Sequence, residues 1–196
     1  MNWFTKLFKS KSLNQIDHDY FDGFNAFKIG NNIWKDLVLA PHSSEYREEK
    51  TKEALEFFDK AIENGYDESE VFSLRGSCLN DLGFYFDALE DYNKAIQKNP
   101  QMGIAANYHM RSLIKDSIFD FEGSLADIKE AIRLSKLDND DNKYWNNHAK
   151  ITGYKSAADF YDWQLRIAER KIELEKKSPA IMLADKNAKL EKIKRR

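Results

Sequence analysis

The most constraining feature of this 196-residue chain is a stretch of sequence that recurs after 36 residues. Residues 72–96 match residues 108–132 under this single shift, and a partial third copy at 54–62 lies 34 residues before 88–96. Repeats of about 20 to 50 residues are typical of stacked helical hairpins, because one hairpin cannot bury its apolar face alone. The chain is therefore expected to fold as an array of short helices. The matched pairs are Phe72/Tyr108, Arg75/Arg111, Gly76/Ser112, Leu82/Ile118, Tyr85/Phe121, Ala88/Ser124, Asp91/Asp127, Tyr92/Ile128, Ala95/Ala131 and Ile96/Ile132.

Each recurring residue type has a role in the packing of two antiparallel helices. Gly76 and Ala88 are small enough to lie where the helices cross. Gly83 can adopt the left-handed conformation that ends the first helix. Tyr92 and Ala95 share one face of the second helix, which is expected to pack on the next hairpin. The predicted packing residues are Phe72, Gly76, Gly83, Ala88, Tyr92, Ala95 and Pro100 in the clearest copy, and Tyr108, Ser112, Ser124 and Ala131 in the next.

These positions resemble the tetratricopeptide repeat (TPR), in which large, small and aromatic residues, a Gly and a helix-ending Pro recur over about 34 positions. The resemblance is clearest from Phe72 to Pro100 and weaker in the next copy, where serines replace the small Gly and Ala. It implies an all-α fold: a short right-handed solenoid of antiparallel helix hairpins, with capping helices at the N- and C-terminal ends. Arg75 and Arg111, at equivalent places, are expected to bridge neighbouring helices.

The repeats predict three segments along the chain. A basic amphipathic segment (1–16) precedes the helical array (17–177), and a basic tail or short helix (178–196) follows it. Pro41 would interrupt the first helix of the first copy, so residues 20–39 are expected to pair with the next helix across an inserted loop. Phe119 stands where the other copy has its turn glycine, which predicts a less tight turn. The approximate repeats are 20–66, 69–102, 105–136 and a degenerate copy at 143–177.

No catalytic, metal or cofactor site is predicted from the residue types and their spacing. The four histidines are scattered, and no cysteine pair or His-Glu motif occurs that could hold a metal. The one cysteine, Cys78, excludes an internal disulfide framework and is expected to be a buried packing residue. We therefore expect a protein that is not an enzyme and needs no cofactor.

The first residues form a basic amphipathic pattern with Trp3, Phe4, Leu7 and Phe8 on one helical face. Such a segment could contact an anionic membrane surface, cover an exposed apolar end of the array, or form a mobile tail. Neither a secretory signal nor a spanning helix is predicted, because the chain has no continuous apolar run of sufficient length. The expected location is cytoplasmic.

Charge is distributed unevenly along the chain. Between Glu45 and Asp91 there are 14 acidic and 5 basic residues, whereas between Arg170 and Arg196 there are 10 basic and 4 acidic residues. The two regions could attract each other, or each could meet an oppositely charged partner. Nucleic acid is disfavoured as a partner, because the net charge is −2 and the basic region carries no interleaved aromatic residues.

The TPR resemblance implies that the first helix of each hairpin lines a concave, partner-binding face. Some TPR proteins grip a terminal carboxylate there with a Lys and an Asn four residues apart. This chain has Ser73 and Ser77, then His109 and Leu113, at those places. The cationic clamp is therefore missing, and a helical or basic peptide is the expected ligand. The candidate partner-binding residues are Ser73, Leu74, Ser77, Asn80 and Asp81 in one copy, and His109, Met110, Leu113 and Asp116 in the next.

The leading functional prediction is a non-catalytic module that binds a peptide or helix of another protein in this concave groove. One alternative is a bacterial cytosolic immunity protein or secretion chaperone that blocks a basic partner surface. Another is a membrane-associated assembly factor anchored by the N-terminal segment. The sequence leaves the identity of the partner and the oligomeric state open.

Overall fold

The computed structural model describes residues 13–99, 105–137, 140–194 and 196, whose regular structure is entirely α-helical. The expectation of an all-α fold is thereby confirmed. The N-terminal residues Trp3, Phe4, Leu7 and Phe8, and the helix stop at Pro100, lie outside the described residues. The helices are α1 (Leu13–Leu39), α2 (Ser44–Glu63), α3 (Ser69–Asp81), α4 (Tyr85–Lys98), α5 (Ala105–Ser117), α6 (Phe121–Ser135), α7 (Asp140–Ile151), α8 (Ala157–Lys177) and α9 (Pro179–Leu190).

The chain divides into two compact units, and the boundary lies in the turn of the clearest repeat. The first unit, Met1–Leu82, contains α1 to α3, and the second unit, Gly83–Arg196, contains α4 to α9. At the boundary Gly83 has a φ of 82°, a left-handed conformation that glycine adopts without steric cost.

In the first unit, α1 and α2 form an antiparallel hairpin with very close contacts. A Cβ atom on Gly23 would lie 2.8 Å from the carbonyl oxygen of Ala61, and one on Gly30 would lie 2.9 Å from the ring of Phe58. No larger side chain fits at these two sites without a shift of the facing helix. Gly23 and Gly30 therefore set the distance between the two helices.

The loop around Pro41 joins these two helices. α1 ends at Leu39, and the Ser43 hydroxyl accepts the backbone N–H of Tyr46 at 3.3 Å at the start of α2. The Arg47 guanidinium donates to the carbonyl oxygen of Leu37 at 2.7 Å. This bond satisfies one of the carbonyls that the end of a helix leaves without an internal partner.

Tyr66 is the centre of the aromatic core in the first unit. Its ring centroid lies 4.9 Å from that of Phe27, 5.5 Å from that of Tyr20 and 5.6 Å from that of Phe24. Burial, and after it the nearby charge of Glu70, raises the pKa of the Tyr66 hydroxyl to about 12. These ring contacts attach α1 to the segment between α2 and α3.

In the second unit, small side chains again lie at the contacts between helices. Ala105 of α5, Ala131 of α6 and Ala157 of α8 are buried in one cluster with Leu134 and Tyr161. α5 and α6 form a hairpin, and α8 packs on α6. Alanine at these positions lets the three helices approach closely.

Helices α7 and α8 occupy the region of the degenerate fourth repeat. Gly153, with a φ of 94°, lies in the turn between them, and the Ser156 hydroxyl caps the start of α8. α8 ends at Lys177. Pro179 then begins α9, where its missing N–H leaves no helical bond unmade.

The turn at Phe119 is as tight as the turns that contain glycine, so the expectation of a looser turn is wrong. Phe119 has a φ of 64°, and the next N–H, that of Asp120, donates to the carbonyl oxygen of Lys115 at 2.8 Å. The turns at Gly65 and Gly153 contain the corresponding bond, at 2.9 Å in each case.

Burial of its side chain explains how Phe119 occupies a position suited to glycine. A left-handed residue other than glycine costs about 1–2 kcal/mol. The Phe119 ring is buried in a cluster with Phe121 and Ile172, and burial of such a side chain contributes about 1.5–3 kcal/mol. The packing gain therefore offsets the backbone strain.

Replacing Gly23 with Ala is expected to lower the free energy of unfolding, because the added methyl group would press on backbone atoms of residues 61 and 66. Overpacking costs about 1–3 kcal/mol, which exceeds the gain of about 1 kcal/mol in helix propensity. The loss would appear as a lower urea midpoint in circular dichroism. Asn32→Ala, at an exposed site on α1, is the control; equal shifts for both variants would contradict the close contact at Gly23.

Candidate protein-binding surface

The residues predicted to pack the repeats are mostly buried, and so is the single thiol. Cys78 is 0% exposed, and burial raises the pKa of its thiol, which leaves no reactive thiolate at neutral pH. These side chains contribute to packing and are not accessible to a ligand. Buried members of the set are Phe72, Gly76, Ala88, Tyr92, Ala95, Ser112, Ser124 and Ala131, whereas Gly83 and Tyr108 are partly exposed.

The two equivalent arginines, Arg75 and Arg111, bridge neighbouring helices, as expected. Arg111 donates from Nε and Nη2 to the two carboxylate oxygens of Asp127 at 2.8 and 2.6 Å. Its Nη1 also donates to the side-chain oxygen of Asn93 at 2.8 Å. In the first unit, Arg75 Nη1 donates to Asp59 at 3.0 Å.

The Asp127 carboxylate is a buried charge that two cationic side chains of α5 balance. Asp127 is 4% exposed, and Lys115 Nζ lies 2.9 Å from its second oxygen, in addition to the bidentate bond from Arg111. A buried carboxylate needs such partners, because its removal from water is costly. This network joins three helices: α4 through Asn93, α5 through Arg111 and Lys115, and α6 through Asp127.

The less buried side of α3, called the α3 face, carries all five candidate binding residues of the first unit. Ser73, Ser77 and Asn80 are four and three residues apart, so they form a row along the helix, with Leu74 and Asp81 beside it. Asp81 is exposed and the other four are half-buried. The buried residues of α3 lie on the opposite side of the helix: Val71, Phe72, Gly76, Cys78 and Leu79.

The two serines of this row donate their hydroxyl protons within the helix. Ser73 Oγ donates to the carbonyl oxygen of Ser69, and Ser77 Oγ donates to that of Ser73, both at 3.1 Å. The row contains no cationic side chain, so it offers no clamp for a terminal carboxylate. The other groups that a partner could contact here are the apolar surface of Leu74, the amide of Asn80 and the carboxylate of Asp81.

His109 lies within the helix packing of the second unit and not on an open face. Its ring is 5.1 Å from the rings of both Phe160 and Tyr161 on α8. Its Nε2 is buried and has no hydrogen-bond partner in the described part of the chain. Burial lowers the pKa of His109 to about 4, so the ring is neutral at pH 7.

Helix α8 also covers Asp116. The Lys171 ammonium of α8 forms an ion pair with the Asp116 carboxylate. Met110 is half-buried and Leu113 is exposed, so they are the accessible members of the second candidate set. The repeat pattern predicts all four on one open face, because it does not show which surface the aromatic-rich α8 covers.

The described residues show no sign of a metal site or a membrane span. Among residues 13–99, 105–137, 140–194 and 196, no three His, Cys, Asp or Glu side chains are placed to hold a metal ion. No helix within these ranges is both long and apolar enough to cross a bilayer.

Comparison with known proteins gives matches in structure only. No family model matches the chain, and no curated protein is significantly similar to it. The Arabidopsis OM64 TPR domain is 16% identical over 68% of this chain and 98% of that domain, with a TM-score of 0.50. A chain of a T3SS complex from Aeromonas hydrophila is 16% identical over 86% of this chain and 90% of its own, with a TM-score of 0.52.

The chain has a TPR-like fold. The resemblance inferred from Phe72, Gly76, Gly83 and their repeats is thus confirmed at the level of the fold. The identities are too low to transfer a partner or a binding site. In this TPR-like chain the binding surface must therefore be argued from its own residues.

Replacing Asp127 with Asn is expected to lower the free energy of unfolding by about 3–5 kcal/mol, because Arg111 and Lys115 would lose their buried counter-charge. Urea denaturation would measure the loss. Glu130→Gln is a matched control on α6, since Glu130 pairs with Arg133, which is 60% exposed, and such pairs contribute about 0–1 kcal/mol. Similar losses in both variants would contradict the buried network.

Stability is expected to fall as the pH decreases from about 6.5 towards 4, because of His109. In this window His109 binds a proton in the unfolded chain but not in the folded chain. The free energy of unfolding therefore falls by about 2 kcal/mol by pH 5. His109→Phe should remove much of the difference in urea midpoint between pH 7.5 and pH 5. His18→Phe, at an exposed site, should not; an unchanged pH dependence in His109→Phe would contradict the buried neutral ring.

Proposed function

We propose that this chain is a non-catalytic protein-interaction module that binds a helix or peptide of another protein along the α3 face. The observation that carries the proposal is the division of α3 into two sides. One side is buried in the core, and the other presents the row Ser73, Ser77 and Asn80 with Leu74 and Asp81 beside it. A half-buried row of mixed polarity on a rigid helix suits helix or peptide recognition.

The chemistry of this face favours a neutral or basic partner segment. Leu74 offers apolar contact, and Asn80 and Asp81, whose side chains hydrogen-bond to each other, offer an amide and a carboxylate. The neighbouring α2 adds negative charge along its exposed surface. Acidic surfaces attract basic partners over a distance and raise the rate of association. Two acids of this α2 surface are paired with lysines of the same helix, Glu48 with Lys52 and Glu53 with Lys50. The acidic residues of the surface are Glu45, Glu48, Glu49, Glu53 and Glu56.

The same acidic surface is also consistent with a second candidate function, that of a cytosolic immunity protein or secretion chaperone. In that role, one dedicated partner would be bound through a basic surface. The two candidates differ in selectivity: an adaptor binds a motif that several proteins share, whereas an inhibitor or chaperone binds one protein tightly.

A photo-crosslinker placed at Ser77 tests the binding face directly. In cells, the full-length chain with p-benzoyl-phenylalanine at Ser77 is expected to capture one or a few proteins that the same group at exposed Asn32 on α1 does not capture. One captured protein supports the dedicated role, and several with a shared segment support the adaptor. The same products at both positions, or none at Ser77, would contradict the proposal.

The captured protein then allows a quantitative prediction. Leu74→Ala combined with Asn80→Ala is expected to weaken its affinity about tenfold or more, because central contacts of an interface each contribute about 1–2 kcal/mol. Isothermal titration calorimetry measures the change. Asn32→Ala combined with Val38→Ala, at exposed sites on α1, is the matched control and should keep the wild-type affinity. Full affinity in the α3 variant would place the binding surface elsewhere.

A further inference from the structure

The C-terminal segment of the second unit, described for residues 179–194 and 196, covers an apolar strip formed by residues of α6, α8 and the turn before α6. Met182 and Leu190 of α9 pack against a cluster formed by Phe119, Phe121 and Ile172. Leu125 of α6 contributes to the same cluster. We call these four residues, Phe119, Phe121, Leu125 and Ile172, the apolar strip.

Basic groups of the segment extend this contact past the strip. Lys189 Nζ lies 5.4 Å from the centroid of the Phe119 ring, and Lys194 Nζ lies 6.0 Å from that of Phe84. The backbone N–H of Arg196 donates to the Asp87 carboxylate at 3.2 Å. The segment therefore runs from the turn between α5 and α6 to the start of α4, first through apolar contacts and then through two cation–π contacts and one backbone hydrogen bond.

The segment is attached weakly for its length. No residue of α9 is buried, and Ile181 and Leu183 are 72% and 57% exposed. A helix of this length is marginal in water on its own, and cation–π contacts at exposed sites contribute only about 0.5–1 kcal/mol each. The docked state of α9 therefore depends on the side chains that touch the strip and on the contacts that Lys194 and Arg196 make beyond it.

The strip itself is built into the fold more firmly than the helix that covers it. Phe119 and Phe121 flank the left-handed turn between α5 and α6, and Ile172 comes from α8. All three residues are buried with α9 in place. Release of α9 would expose a continuous apolar surface, which proteins rarely leave uncovered.

We propose that the apolar strip is a docking surface for a basic amphipathic helix of a partner protein, and that α9 is its built-in occupant, which the partner helix displaces. The chemistry of the partner follows from α9: two apolar side chains eight residues apart, as at Met182 and Leu190, with a lysine beside the second, as at Lys189. The Phe119 ring, over which Lys189 lies, favours that positive charge. This surface is separate from the α3 face, and neither proposal depends on the other.

The test uses full-length protein and one defined probe, a fluorescein-labelled peptide with the sequence of residues 178–196. In the release variant, Met182→Glu combined with Leu190→Glu, α9 should leave the strip and the peptide should bind in its place. In the wild type the covalently attached α9 competes at a high effective concentration, so the peptide should bind about tenfold or more weakly. Fluorescence anisotropy measures both affinities.

Three further variants make the result specific. Ile181→Glu combined with Leu183→Glu adds the same charges at the exposed side of α9 and should behave like the wild type. Phe119→Asn within the release variant, chosen because Asn tolerates a left-handed backbone, should abolish peptide binding while circular dichroism shows the helices intact. Asn80→Ala, on the α3 face, should leave peptide binding unchanged.

Several outcomes would overturn the proposal. Equal peptide affinities in the wild type, the release variant and the exposed-side variant would show that α9 does not occupy a competing site. No peptide binding to a folded release variant would show that the strip is not a docking surface. Size-exclusion chromatography could also show a wild-type dimer that dissociates in the release variant. In that case α9 of one copy would bind the strip of a second copy, and the strip would not be a site for a partner helix.

Discussion

The fold depends on how closely its helices can approach one another. In the first unit Gly23 and Gly30 let α1 lie directly against the backbone and rings of its neighbours. In the second unit Ala105, Ala131 and Ala157 have the same effect where α5, α6 and α8 meet. Dispersion contacts weaken steeply with distance, so these small residues determine how much of the surrounding apolar surface can pack.

Close approach also creates the need for the charge network in the second unit. Once α5 and α6 are packed, the Asp127 side chain has little access to water, and its charge must be balanced by groups from the same helices. Arg111 does this with two parallel bonds, while its third nitrogen reaches Asn93 on α4. Such a bidentate pair tolerates little displacement of either helix, so it contributes to a unique register as well as to energy.

The features that could be predicted from the sequence are those encoded by local spacing. Residues of similar size recur 36 positions after Gly76, Ala88 and Tyr92, and this interval was enough to predict helical hairpins and the TPR-like fold. Gly23 and Gly30 were missed, although they are seven residues apart and so share a helix face, because no second copy of α1 exists for comparison.

The features that could not be predicted depend on residues distant in the sequence. Phe119 tolerates its left-handed backbone because Ile172, on a helix far along the chain, helps to bury its ring. His109 matched a groove position in the repeat, yet Phe160 and Tyr161 lie against it. A short repeat pattern specifies which residues share a helix face, but which other helix covers that face depends on the packing of the whole unit.

The enclosure of Cys78 has a practical consequence for spectroscopy. Because the sequence contains no other thiol and this one is shielded from solvent, a cysteine introduced on the surface would react alone with a maleimide dye or a nitroxide. Pairs of such labels could then report distances and domain motions by energy transfer or electron resonance, without prior removal of a native cysteine.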